Sequence, residues 1–201
     1  MDRLNNIQTK YPQIDIEDVI DQMDIPDADK EKRVELAKKI SDVFDWLFAF
    51  VLTASATELE LDVEYLTLSV EYRLKDLVNV DITNVVRQIE MFVGDVVGTT
   101  VEHRDEDYYL SPQRATEIAV DEANAVYGYE ELDEAIRQGK THKTWVSERL
   151  KSTRKWHLEM DGVTIPIEEP FHLDDCDMMI PHDMNGTARQ NSGCICSVRY
   201  S

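Results

Sequence analysis

The residues with the most chemical potential lie near the end of the chain. Cys194 and Cys196 are separated by one residue. Their sulfurs therefore fall on one side of an extended segment, or converge in a turn, and both can face a single ion. His157 offers a nitrogen ligand, and His182 or Asp183 would complete a set of four around zinc. Such an ion would staple a module of about 60 residues whose own core is thin. The spacing is not that of a standard zinc finger, and the same residues also read as two buried cysteines beside a hydrogen-bonded histidine. Cys176, among Asp174, Asp175 and Asp177, reads as a loop thiol. These acids together with Asp183 lack the glycine and terminal glutamate of a calcium loop, so a solvated acidic loop is expected.

Other constellations point elsewhere. His157-Leu158-Glu159 has the H-x-E form of a zinc deaminase, in which the glutamate moves protons while a histidine and two thiolates hold the metal. That chemistry wants Pro-Cys-x-x-Cys, and the chain has Gly193-Cys194-Ile195-Cys196 instead. A deaminase-like, zinc-dependent nucleic-acid-processing enzyme is the alternative reading. No phosphate-binding glycine loop, dinucleotide fingerprint or nucleophile elbow is present in the sequence. Arg149, Lys151, Arg154 and Lys155, with His157, form the one basic patch. It is a candidate partner contact, with Trp156 its sole stacking aromatic, so any DNA contact is expected to be weak or indirect.

Composition narrows the classes further. The 201 residues carry 41 acidic and 21 basic side chains, a formal charge of −20, with 42% hydrophobic residues. That describes a folded chain, and one unsuited to gripping DNA or an anionic membrane. The start has no basic segment followed by an apolar one, and the greasiest run, Trp46 to Leu52, is too short to span a bilayer, so no membrane association is expected. Three cysteines without a secretory leader fit a reducing compartment. The acidity is concentrated: residues 1–140 hold 32 acids and 14 bases, and residues 141–201 nine and seven.

The elements that must position the site follow from periodicity. A first helical stretch is expected from near Ile16 to before Pro26, as an acidic arm, and Asp27 or Asp29 could cap the next helix. Val34, Ala37, Ile40, Phe44, Leu47 and Val51 mark one buried helical face, ending at Ser55 to Thr57. A second stripe runs from Leu59 to Leu77 and a third from Ile82 to Val96, before the charged link 102–107. Ser111-Pro112 is a strong helix start, and Gly139 a stop. Lys143 to Val146 reads as a strand. Asp161-Gly162 reads as a hairpin turn joining strands at 158–160 and 163–165, and 196–200 as a strand closing a small sheet. The fold class is therefore α+β: an acidic helical region at 1–110, then a small module at 111–201 made of a long helix and short antiparallel strands.

The second half resembles the Mu F-like family of phage minor head proteins, also called head morphogenesis proteins. Five segments carry the resemblance in order. They are Ser111-Pro112-Gln113-Arg114-Ala115 with Ile118, Ala119 and Glu122; Lys143-Thr144-Trp145; Arg154 and His157 with Asp161-Gly162; Phe171 with Met178, Met179, Pro181 and Asp183; and Cys194-Ile195-Cys196. The chain departs from the pattern at Leu150-Lys151-Ser152, where an aspartate is usual. It also has His182 in place of a glycine and Gly193 in place of an asparagine. The resemblance implies a non-enzymatic, low-copy component of a tailed-phage or prophage head, present in the host cytoplasm during assembly and in the virion at the portal vertex. Its implied partners are the portal protein and the scaffold or major capsid protein.

Overall fold

A computed structural model describes residues 2–201. Five helices precede residue 111: α1 (Asp2–Lys10), α2 (Ile16–Ile20), α3 (Asp27–Ala56), α4 (Val63–Lys75) and α5 (Thr83–Glu102). A 3-10 turn at Asp107–Leu110 leads into α6 (Pro112–Arg137). Then follow β1 (His142–Val146), α7 (Lys155–Met160), β2 (Thr164–Pro166), β3 (Phe171–His172), β4 (Asp177–Met178), α8 (Ala188–Asn191) and β5 (Ser197–Tyr200). The class is α+β, mostly helical, with a small antiparallel part near the C-terminus.

The long helices form where apolar residues recur every three or four positions. On α3 this buries Ala37, Ile40, Phe44, Leu47 and Val51, with Leu36 and Phe48 widening the stripe. Each such large side chain contributes about 1.5–3 kcal/mol of burial. Neither Asp27 nor Asp29 caps α3: Pro26 stands at the cap, and both aspartates sit in the first turn, where they favour the positive end of the helix dipole. The second stripe begins later than its spacing suggests. Asp62 accepts the Tyr65 backbone N–H and starts α4, leaving Leu59 outside the helix and exposed.

The N-terminal arm is tied down rather than loose. α1, which the hydrophobic pattern does not announce, buries Ile7, and its Arg3 pairs with Asp107 at 3.1 Å. Tyr11 meets Tyr108 edge-on at 5.7 Å. Ile16, Ile20 and Met23 are all buried.

Ser111 and Pro112 start α6 as their types dictate: the Ser111 hydroxyl accepts the Arg114 N–H at 3.2 Å, and proline takes the first position. Arg114 is buried with its guanidinium over the rings of Phe48 and Tyr109, and it donates to Thr100 and to the Tyr109 carbonyl, both at 2.8 Å. This one side chain joins α3, α5 and the 3-10 turn to α6. α6 runs unbroken to Arg137 and lies along α3, where Arg33 reaches Glu131 at 2.7 Å. Gly139 follows with φ 75, a left-handed conformation suited to glycine. One hydrophobic core extends from Ile7 through α3–α6 to Ile167 and Ile180, so 1–110 and 111–201 share it.

β1 is the centre of a three-stranded antiparallel sheet ordered β2-β1-β5, in which Thr144 faces Thr164 and Trp145 faces Val198. β3 and β4 form a separate ladder pairing Phe171 with Met178. The hairpin expected across Asp161-Gly162 is not there. Residues 155–160 are helical, and β2 pairs with β1 instead. Gly162 still turns the chain (φ 79), but Asp161 accepts the Ser147 backbone N–H at 2.8 Å and the Arg149 guanidinium at 2.6 Å, fixing the exit of β1.

Candidate metal centre

β1 and α7 place the first half of the site. Trp145 is fully buried beneath the sheet and touches His157 and Phe171 edge-on, at 5.4 and 5.2 Å between ring centres. α7 turns His157 inward and leaves Leu158 and Glu159 outside. Arg154, at the start of α7, donates to the Ser192 carbonyl, so the helix is latched to the segment that carries the cysteines. Gly193 then reverses the chain with φ 64 and donates its N–H to Asp121 of α6 at 3.1 Å. That reversal brings both sulfurs under the sheet.

The result is a closed cluster of His157, Cys194 and Cys196, all three buried, whose ligand atoms lie within 4.8 Å of one another. Nδ1 of His157 is 3.5 Å from Cys194 Sγ and 3.4 Å from Cys196 Sγ. The far ring nitrogen, Nε2, meets Gln190 Oε1 at 3.1 Å, and Gln190 in turn donates to Asp175 at 2.6 Å. If Nε2 carries the proton and gives it to Gln190, Nδ1 presents its lone pair to the sulfurs. That nitrogen has one in-plane lone pair and can accept one S–H, yet two sulfurs stand equally close to it. The cluster offers three ligand atoms to a metal.

The electrostatics of the thiols describe the metal-free alternative, in which Nδ1 carries a proton and donates it to sulfur. Cys196 is drawn down to about 5, first by hydrogen bonding from Cys194 and then by His157, against the effect of burial. Cys194 is pushed well up by Cys196 and by burial. The pair thus favours one thiolate and one thiol, the state from which a cation displaces the remaining proton.

The other sequence candidates lie around this cluster rather than in it. Asp183 is fully buried, but its carboxylate accepts the Met179 N–H and both the backbone N–H and side-chain amide of Asn185, so it holds a turn together. His182 is buried in left-handed backbone, φ 64, with Nδ1 3.4 Å from Asp121 Oδ1. It lines a cavity of about 20 Å³ that Cys196, Asn124, Ser197 and Tyr200 also border. Neither ring nitrogen has a hydrogen-bond partner among the described residues. The acids 174–177 are not simply solvated: Asp175 holds Gln190 and Thr187, Arg189 pairs with Asp174, and Asp177 pairs with His172. Cys176 sits in the β3–β4 turn, where its carbonyl accepts the Leu173 N–H.

Two further expectations change. The H-x-E residues do not act together: 155–160 is helical rather than the strand expected at 158–160, and exposed Glu159 pairs with Lys155 at 3.5 Å instead of approaching the cluster. The basic patch is mostly committed to the fold. Arg149 binds Asp161, Arg154 binds the Ser192 carbonyl, and Lys155 binds Glu159 and lies over Trp156, which leaves exposed Lys151 as the cation without a partner among the described residues. Sequence reasoning missed Gln190 and Asp121. Gln190 follows Asn185-Gly186-Thr187, a turn and helix-start signal that announces α8 but not its contact.

Among the described residues no helix is long and apolar enough to cross a membrane. Comparison of the chain with protein-family models, with curated proteins and with solved structures finds no match.

Proposed function

We propose that this protein is a structural component of a tailed-phage or prophage head, of the Mu F-like kind, whose C-terminal part is clasped by zinc. The observation that carries the reading is convergence. Four of the five segments meet at one buried cluster, through Trp145, His157, Phe171 and the two cysteines, and the fifth, the Ser111-led helix, reaches it through the contact of Asp121 with Gly193, 72 residues on. The departures at His182 and Gly193 support it too. Both residues have left-handed backbone, the conformation that the glycine and asparagine usual at those positions tolerate best.

Zinc fits the donor set. Bonds of about 2.05 Å to nitrogen and 2.3 Å to sulfur at the tetrahedral angle put N and S about 3.6 Å apart, close to what His157 and the cysteines show. The three ligands are buried, and a structural zinc, which is held by four, would take its fourth ligand from outside this cluster. His157, Cys194 and Cys196 would hold the ion, and when bound it would add cross-linking between α7 and the C-terminal segment. The acidic helices would keep clear of packaged DNA and be steered by charge toward basic surfaces of the portal or scaffold protein, in the host cytoplasm during assembly and then in the virion.

The test is to assemble tailed-phage heads from portal, scaffold and major capsid proteins with the chain present. The reading expects low-copy incorporation that depends on the portal, and binding to isolated portal oligomers that weakens as salt is added. Heads that exclude the chain, together with no portal binding at low salt, would overturn it. Metal content per purified chain tests the zinc independently.

A further inference from the structure

The N-terminal helices leave an open groove that neither the metal cluster nor the core uses. It has a volume of about 770 Å³ and runs between α3 and α4. From α4 it takes Tyr65, Leu68 and Tyr72, which recur at the i, i+3, i+7 spacing of a single helical stripe and are 65%, 58% and 77% exposed. They stand apart from Leu66, Val70 and Leu74, which bury the inner face of the same helix. α4 is therefore apolar on two faces, only one of which has a partner. From α3 the groove takes Val43, and beside it Trp46 stacks with exposed Phe50 at 6.1 Å. A cluster of large exposed apolar and aromatic side chains on so acidic a chain marks a contact surface.

The charges around it select the occupant. Asp42 and Asp76 line the groove, and neither has an ion-pair partner among the described residues. Asp45, half-buried on the same helix, is held above its ordinary value by burial and by the neighbouring charge of Asp42. Lys39 and Arg73 also line the groove, but Lys39 pairs with Glu35 and Arg73 lies over the Trp46 ring at 4.2 Å, while Lys75 beside it pairs with Glu71 and Glu90. A second copy of this chain would bring the same acids to the same groove and a further charge of −20. We infer that the α3–α4 groove receives an amphipathic helix of another protein, with aliphatic residues on one face to meet Leu68, Tyr65 and Tyr72 and lysines or arginines on its flanks to meet Asp42 and Asp76. An apolar groove between two helices is the helix-in-groove type of recognition surface. This inference stands on the N-terminal helices alone and does not require the head-protein reading.

The experiment uses the full chain and two fluorescent synthetic peptides of one composition, leucine and lysine. In one the leucines fall on a single helical face, and in the other they are scrambled around the helix. Anisotropy titration at physiological salt should show the ordered peptide binding about tenfold or more tightly than the scrambled one, the discrimination expected from one well-buried aliphatic anchor. The double variant Leu68→Asp, Tyr72→Asp should erase that preference even though it makes the protein more acidic; both side chains are exposed, so an unchanged thermal transition verifies the fold. Asp42→Asn with Asp76→Asn should weaken the ordered peptide and flatten its salt dependence. Equal affinity for the two peptides, no binding of either, or a double variant that keeps the preference would overturn the inference. So would concentration-dependent dimerisation abolished by Leu68→Asp, Tyr72→Asp, which would give the groove to a second copy.

Discussion

Replacing Gln190 by leucine separates a metal centre from a hydrogen-bonded histidine. Gln190 is fully buried and holds His157 Nε2 at 3.1 Å, while its own amide is fixed on Asp175 at 2.6 Å. Leucine has a similar volume, so the packing around α8 is conserved and the loss is confined to the relay. Without metal, the variant leaves the buried Nε2–H of His157 unsatisfied, a cost of about 1–3 kcal/mol. With metal, His157 also loses the partner that orients its ring and fixes Nδ1 as the ligand atom. Such outer partners are worth roughly 10- to 100-fold in affinity, or about 1.4–2.7 kcal/mol. Titration of stripped protein with zinc against a chromophoric chelator reads the affinity directly. Thermal unfolding with and without chelator reads the coupling to folding, with about 2–4 °C expected per kcal/mol for a chain of this size. The reasoning predicts that zinc raises the transition of both proteins, but the variant's less at equal zinc. Equal zinc affinities would show that Gln190 only packs against the ring. A wild-type transition indifferent to chelator would remove the metal itself.

Two more predictions concern the helical core. Burial holds the Glu122 carboxyl well above its ordinary 4.5, against the opposing hydrogen bonds from Gln88, so the native state retains a proton that the unfolded chain releases. The stability this contributes is complete below about 4.5 and is lost as pH rises through the native value. Glu122→Gln should therefore match the wild type in mild acid and melt higher at neutral and alkaline pH; parallel melting curves across pH would contradict this. Gly94 and Gly98 lie inside α5 with nothing within 4 Å of the space a Cβ would fill. Gly94→Ala and Gly98→Ala should each stabilise by about 0.5–1 kcal/mol in urea unfolding, and a loss of stability would mean that α5 needs those positions bare.

Which parts of this architecture could be read in advance follows from the range of the interactions that set them. The α3 stripe, the Ser111-Pro112 start, the Gly139 stop and the β1 and β5 strands are local: side-chain period, cap chemistry and backbone freedom decide them within a turn or two. α1 was invisible because its one deeply buried residue, Ile7, gives no period, and its position depends on Arg3 and Tyr11 reaching residues 107 and 108. The false hairpin has the same origin. Asp161-Gly162 does turn the chain, but the partner of β2 is β1, and α7 is held by the latch from Arg154 to Ser192 and by the burial of His157 against Trp145.

The cluster shows how residue type and distance divide the problem. Cys194, Cys196 and His157 could be singled out because few residue types bind soft ions, and the i, i+2 cysteine spacing limits where the sulfurs can go. Their assembly is non-local, built by Gly193 reversing against Asp121 and by Gln190 reaching His157 from 33 residues away. The selection among further ligands was the part no pattern could make. His182 and Asp183 are adjacent and equally buried, yet Asp183 is consumed by three donors of its own loop, while His182, in left-handed backbone, keeps both ring nitrogens free of hydrogen-bond partners beside a cavity that Cys196 also lines. A buried imidazole left in that state carries a desolvation cost of about 1–3 kcal/mol per unmet polar group. A water, for which about 10–15 Å³ suffices, fits the cavity and would relieve that cost. His182 is therefore better read as one wall of a hydrated pocket at the edge of the cluster than as its fourth ligand.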